Sequence, residues 1–74
     1  MKELDTVVLR RTIPEVGLEA GDVGAIVHRH SDDSYEVEFV SCEGGTVAVE
    51  TLSIADLRSI GASEILHVRS LAHS

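Results

Sequence analysis

Few side chains in this 74-residue chain have the type and spacing to do chemistry. His28-Arg29-His30 is the first group. On a regular strand, residues two apart share a face, so both imidazoles could aim at one metal ion. A zinc site needs a third or fourth ligand, and His67, Glu36 and Glu38 are candidates only if the fold gathers them. The pair therefore reads as two exposed histidines at a strand end, with no metal and no cofactor expected. Cys42 sits in Cys42-Glu43-Gly44-Gly45 beside a negative charge, which opposes thiolate formation. No base, orienting group and oxyanion donor fall together in the sequence, so no catalytic residue is expected. Cys42 reads as a half-buried turn residue of a protein that is not an enzyme.

Two further patterns fall short of a site. Asp32-Asp33 supplies too few oxygens for a calcium loop. The glycines of Gly21-Asp22-Val23-Gly24 lack the lysine of a phosphate loop and the longer dinucleotide fingerprint. They read as backbone geometry: Gly21 ends a loop, and Gly24 permits a bend or bulge in a strand.

Charge is the remaining chemical feature. Lys and Arg number 6 against 13 Asp and Glu, a net charge of −7. Such a chain is repelled from phosphate backbones, which are bound by concentrated positive charge. Arg10, Arg11 and Arg29 are the cations best placed to form a local basic patch. A basic protein partner is electrostatically easier. Glu15, Glu19 and Asp22 cluster between the first two strands, while Glu36 and Glu38, joined by Glu50, are expected on one sheet face. Glu15, Glu19, Asp22, Glu36 and Glu38 are the candidate partner-binding residues. The same surface would also serve solubility alone.

The elements that must position these residues are short. Apolar residues alternate over brief runs, the pattern of strands. Strands are expected over Leu4–Arg11, Val23–His30, Tyr35–Val40 and Thr46–Leu52, with Tyr35, Val37, Phe39, Val47 and Val49 facing the core and Glu50 facing out. Ile13, Val16 and Leu18 look like apolar pins for the long loop of residues 12–22. The register beside His28 stays open, since a slip of one residue exchanges the faces of Ile26/His28/His30 and Val27/Arg29. Pairing of Arg29 or a histidine with a glutamate of the next strand is expected. Ser53-Ile54-Ala55-Asp56 resembles a capping box and predicts a helical turn over Ile54–Ile60, ending at Gly61. In the tail, Leu66 and Val68 alternate as on a strand, while Ile65, Val68 and Leu71 or Ala72 also fit a helix face; a short final strand with a frayed end is the expectation.

Strand, long loop, three-strand meander, helical turn and strand is the order of an SH3-like barrel. The expected fold is therefore mainly all-β: a small SH3-like barrel of about five antiparallel strands with one short helical turn. Residues 1–61 form its core and residues 62–74 a strand or frayed tail of the same domain.

Two resemblances sharpen this expectation. Gly21-Asp22-Val23-Gly24-Ala25-Ile26-Val27 is similar to the KOW motif, which opens a strand pair in SH3-like barrels of ribosomal and transcription proteins. More widely, Asp5-Thr6-Val7-Val8-Leu9, Ile13-Pro14, Gly17-Leu18, Gly21-Asp22-Val23-Gly24, Tyr35-Glu36-Val37-Glu38-Phe39 and Asp56-Leu57-Arg58 resemble a family of short bacterial proteins known as a domain of unknown function. That likeness spans about residues 4 to 60. Members are sometimes encoded beside predicted toxins or nucleases, which implies an antitoxin or immunity protein that occludes a basic partner. The KOW likeness implies the alternative, an accessory domain contacting nucleic acid or a ribonucleoprotein.

A core this small, with one Phe, one Tyr and no Trp, favours a homodimer as added support. A single cysteine suits a reducing cytoplasm. The first residues lack the apolar region of a signal peptide, and no run approaches membrane-helix length. A cytoplasmic location away from membranes is expected.

Overall fold

The computed structural model describes residues 2–61, 63–66 and 68–71. The chain is mostly β. Five antiparallel strands, β1 (Thr6–Leu9), β2 (Val23–Arg29), β3 (Ser34–Val40), β4 (Thr46–Ser53) and β5 (Leu57–Ser59), form one sheet in the order β4-β3-β2-β1-β5. Single 3-10 turns at Pro14–Val16 and Ile54–Asp56 complete it. The sheet is not closed: β4 and β5 are its two edges.

One face of the sheet carries the core. Val7, Leu9, Ile26, Tyr35, Val37, Phe39, Leu52 and Leu57 are buried together, and Ile13 and Leu18 join them from the long loop, with Val16 packed alongside. The loop residues expected to act as pins do so. Ile13 and Leu18 pair as an isolated bridge, so the loop closes on itself above the core it covers.

Gly24 is set by packing rather than by a bend. A Cβ there would lie 2.7 Å from Val37 Cγ1 and 2.9 Å from the Phe39 ring. The bulge expected at Gly24 falls instead between Ile26 and His28. Gly44, at φ +89°, turns the β3–β4 hairpin.

Two bulges flank β3 and decide what each face displays. Ile26 pairs with Val37, but His28 pairs with Glu36, so Val27 is an extra residue on β2. Without it, alternation would carry His28 onto the core face beside Ile26. On the other side, Val40 pairs with Thr46 while Phe39 pairs with Ala48, leaving Val47 extra on β4. That insertion overturns the expected facing of β4. Ala48, Glu50 and Leu52 lie across from Phe39, Val37 and Tyr35, while Val49 lies beside Glu38. Val47 and Val49 are exposed, and Glu50 is half-buried on the core side instead of facing out.

The C-terminal elements also differ from expectation. The helical turn stops at Asp56 rather than Ile60, because Leu57-Arg58-Ser59 is drawn into the sheet against β1, burying Leu57. The final strand is therefore β5, and residues 63–66 and 68–71 form no strand. The first strand, Thr6–Leu9, is shorter than Leu4–Arg11; beyond it the Arg10 amide still donates to the Asp56 carbonyl oxygen at 2.7 Å, beside the Leu9–Leu57 pair. The expectations that involve His67 and Ala72 lie outside the described residues.

Candidate functional site

The five acids singled out in the sequence fall in two places. Glu15 lies in the first 3-10 turn and Glu19 beyond it, both exposed on the long loop. Glu36 and Glu38 lie on β3, half-buried, on the face away from the core. Asp22, at the loop's end, is half-buried and paired within the chain instead.

Asp22 is the centre of a tie between loop and tail. Arg69 grips it with two parallel bonds, Nε to Oδ1 and Nη2 to Oδ2, each 2.7 Å. The same guanidinium donates to the Gly17 carbonyl oxygen at 2.9 Å and approaches Glu19 at 3.6 Å. The Glu19 amide also donates to Asp22, at 2.9 Å. Arg69 holds the Asp22 carboxyl below its ordinary pKa and burial opposes this, with the Glu19 amide helping to lower it. This fork is the bidentate geometry that makes Arg–carboxylate pairs specific.

A second tie fixes the other end of the loop. Arg11 Nε donates to Asp56 Oδ1 at 2.8 Å, and the Ser53 amide donates to Asp56 Oδ2 at 3.2 Å. Arg11 in turn holds the Asp56 carboxyl below its usual range. Arg58 does the same for Glu64, 2.7 Å away, aided by the Gly61 amide. Arg29 pairs with Asp32 in the β2–β3 turn.

These pairs engage most of the positive charge. Of the five arginines, Arg11, Arg29, Arg58 and Arg69 each have a carboxylate partner. Two of the three arginines that could have met a phosphate, Arg11 and Arg29, are thus neutralised within the chain. Sequence reading named Asp56 in a capping box, which is present, but missed its pairing with Arg11 and that of Arg69 with Asp22, whose partners lie 45 and 47 residues apart. No local spacing signals a pair of that separation.

The outer face of β2 and β3 gathers the histidines and the acids. The bulge at Val27 sets His28 across from Glu36. The His28 and His30 rings meet edge to face, 4.6 Å between centroids. His30 Nε2 lies 3.3 Å from Glu36 Oε1, and His28 Nδ1 lies 3.8 Å from Glu3. The expected cross-strand pairing of a histidine with a glutamate is present, while Arg29 turns to Asp32. Thr46 donates its hydroxyl to Glu38 at 2.7 Å. Among the described residues, no group of three or more His, Cys, Asp or Glu is placed to hold a metal ion. Cys42 is exposed rather than half-buried.

Between the sheet and the tail lies a cleft of about 540 Å³, lined by Leu18, Phe39, Val40 and Val47 with Asp22 and Arg69 at its polar end. Among the described residues of its lining, Asp22 and Arg69 pair with each other.

A family model described as a domain of unknown function (DUF4926) matches residues 3–59. The chain belongs to the DUF4926 family. The DUF4926 match ends with β5, so the family region contains the whole sheet, both 3-10 turns and Asp22, but not Arg69. The loop–tail tie thus joins the DUF4926 region to a segment beyond it. No curated protein and no solved structure matches the chain. No helix among the described residues is long and apolar enough to cross a membrane.

Proposed function

We propose that this protein is a non-enzymatic interaction module, an antitoxin or immunity protein of a bacterial cytoplasm, that occludes a basic protein partner through its acidic surface. The carrying observation is the pairing of charges. Four of the five arginines are engaged internally, while Glu15, Glu19, Glu36 and Glu38 remain at the surface. The negative field therefore faces outward, where it steers a cationic partner during encounter. Asp22 acts within the module by holding the loop that presents Glu15 and Glu19. The strand order, the long loop after β1 and the 3-10 turn before β5 support an SH3-like arrangement, in which that loop and the adjoining strands meet the partner.

Co-expression with the product of the adjacent reading frame tests this reading. The two should co-purify, and Glu36→Lys/Glu38→Lys should abolish co-purification while leaving the fold intact. Retention of the partner by that variant would contradict the proposal. The second reading, a KOW-like accessory domain on nucleic acid, predicts a gel shift at low salt that Arg10→Ala/Arg11→Ala removes. The internal pairing of Arg11 and Arg29 favours the first reading.

A further inference from the structure

The guanidinium site at Asp22 is built without the tail. The Leu9 amide donates to the Asp22 carbonyl oxygen, and the Gly21 amide to the Leu9 carbonyl oxygen, each at 2.8 Å. The Glu19 amide orients the Asp22 carboxylate from within the loop, at 2.9 Å. The Gly17 carbonyl oxygen and the Glu19 carboxylate complete the set of acceptors. Every acceptor thus comes from residues 17–22, and β1 fixes their backbone. The guanidinium that fills the site comes from a tail that is otherwise lightly held. Among residues 63–66 and 68–71, only Arg69 is not exposed. Ile65 is 93% exposed and Val68 89%, so the apolar side chains near Arg69 add little burial. Among the described residues beyond Glu64, the hydrogen bonds from tail to loop all come from Arg69. That one side chain lays residues 68–71 along the cleft that Val40 and Val47 line.

We infer that residues 68–71 are an autoinhibitory strap: Arg69 occupies a site for an arginine of a protein partner, which takes Asp22 in exchange for it and lifts the tail off the cleft. That the partner is a basic protein rests on the proposed function; the site and the exchange do not. The occupant is an arginine, because two parallel bonds to one carboxylate need a planar fork that lysine lacks. The exchange conserves bonds, since one guanidinium replaces another on the same acceptors. Its cost is the tether: a segment joined to its own domain competes at an effective concentration of about a millimolar. A lone arginine side chain loses that competition at ordinary concentrations. A protein that also meets the surface carboxylates adds the affinity for the open state that shifts the balance. Lifting the strap bares Val40 and Val47 to apolar side chains beside the incoming arginine, in the place of Val68 and Leu71.

An NMR titration of the full-length Arg69→Ala chain with a peptide copying residues 64–71 tests it. The peptide should shift the Glu19 and Asp22 amides, and should bind this variant at least about 10-fold more tightly than the parent chain, whose own tail competes. The peptide carrying Arg69→Lys should bind at least about 10-fold more weakly than the unaltered one. The Asp22→Asn/Arg69→Ala chain should lose the peptide. Far-UV circular dichroism checks that each variant is folded. If Arg69→Ala fails to fold, the native chain decides: about 10 mM peptide should displace the tail and shift the Ser70 and Leu71 amides. Equal binding to parent and Arg69→Ala, indifference to the peptide's arginine or to Asp22, or a native tail unmoved by excess peptide would overturn the inference. Peptide binding of the expected kind supports it whether or not a neighbouring product co-purifies, and its absence overturns it even where co-purification succeeds.

Discussion

The β1–β5 side of the sheet and the β3–β4 wing are held by different physics. On the first side, the long loop and the tail have little regular structure of their own, and side chains from far apart in sequence tie them down: Leu18 and Ile13 through the core, Arg11 through Asp56, Arg69 through Asp22. On the β3–β4 wing, the backbone ladder and the row Tyr35, Val37, Phe39 and Leu52 hold the strands, and the outer face is left to Glu36, Glu38 and Val49. Positive charge is concentrated where irregular backbone needs fastening. The regular wing can display acid because it does not need those cations.

The largest effect that would break this contrast comes from removing a loop pin. Leu18→Ala should cost about 2–5 kcal/mol by opening a cavity, most of the roughly 3–5 kcal/mol expected for so small a domain. A urea titration should show a partly unfolded chain; a full-strength transition would mean that the loop is not part of the core. Next, Gly24→Ala should cost about 1–3 kcal/mol by overpacking, because its Cβ would meet Val37 and Phe39 at 2.7–2.9 Å. A melting curve like that of the parent would remove the close approach from the account.

Asp22→Asn should cost about 1 kcal/mol after allowance for solvent screening. The sign follows from the lowered carboxyl. Its contribution is complete above the unfolded aspartate value of about 3.9 and fades as pH falls through the lower folded value. The difference in urea midpoint between parent and variant should therefore be present at neutral pH and close in strong acid. A difference that grows on acidification would contradict the tie. Smallest of all, Val49→Thr on the open wing should change the stability of the folded monomer by no more than about 0.5 kcal/mol; a dilute urea titration sharpens the contrast with Leu18.

Most of the β architecture was legible in the residues. The alternation of Tyr35, Val37 and Phe39 with Glu36 and Glu38 reads correctly because β3 is regular from end to end. So do Ile13, Val16 and Leu18, whose spacing between turn residues marks them as apolar anchors. The facing of β4 was not legible. Valines at 47 and 49 look like core residues, and only the extra residue at Val47 sends them outward and brings Ala48 and Leu52 in. A bulge is a property of the pair of strands, and no single run of sequence announces it. His28 and His30 reach the outer face for the same reason, through the bulge at Val27. Of the acidic surface, the positions of Glu15, Glu19, Glu36 and Glu38 were readable, but the facing of Glu50 was not, because of the bulge at Val47, nor was the engagement of Asp22, because Arg69 stands 47 residues away.

The central claim is that the carboxylates at the surface, Glu36 and Glu38 above all, recruit a cationic protein. Stopped-flow association with the co-purified partner, across a series of salt concentrations, tests it most directly. The parent chain should associate more slowly as salt rises, and Glu36→Lys/Glu38→Lys should lower the association rate about 10–100-fold and flatten that dependence. Rates that ignore both salt and the two substitutions would contradict the account.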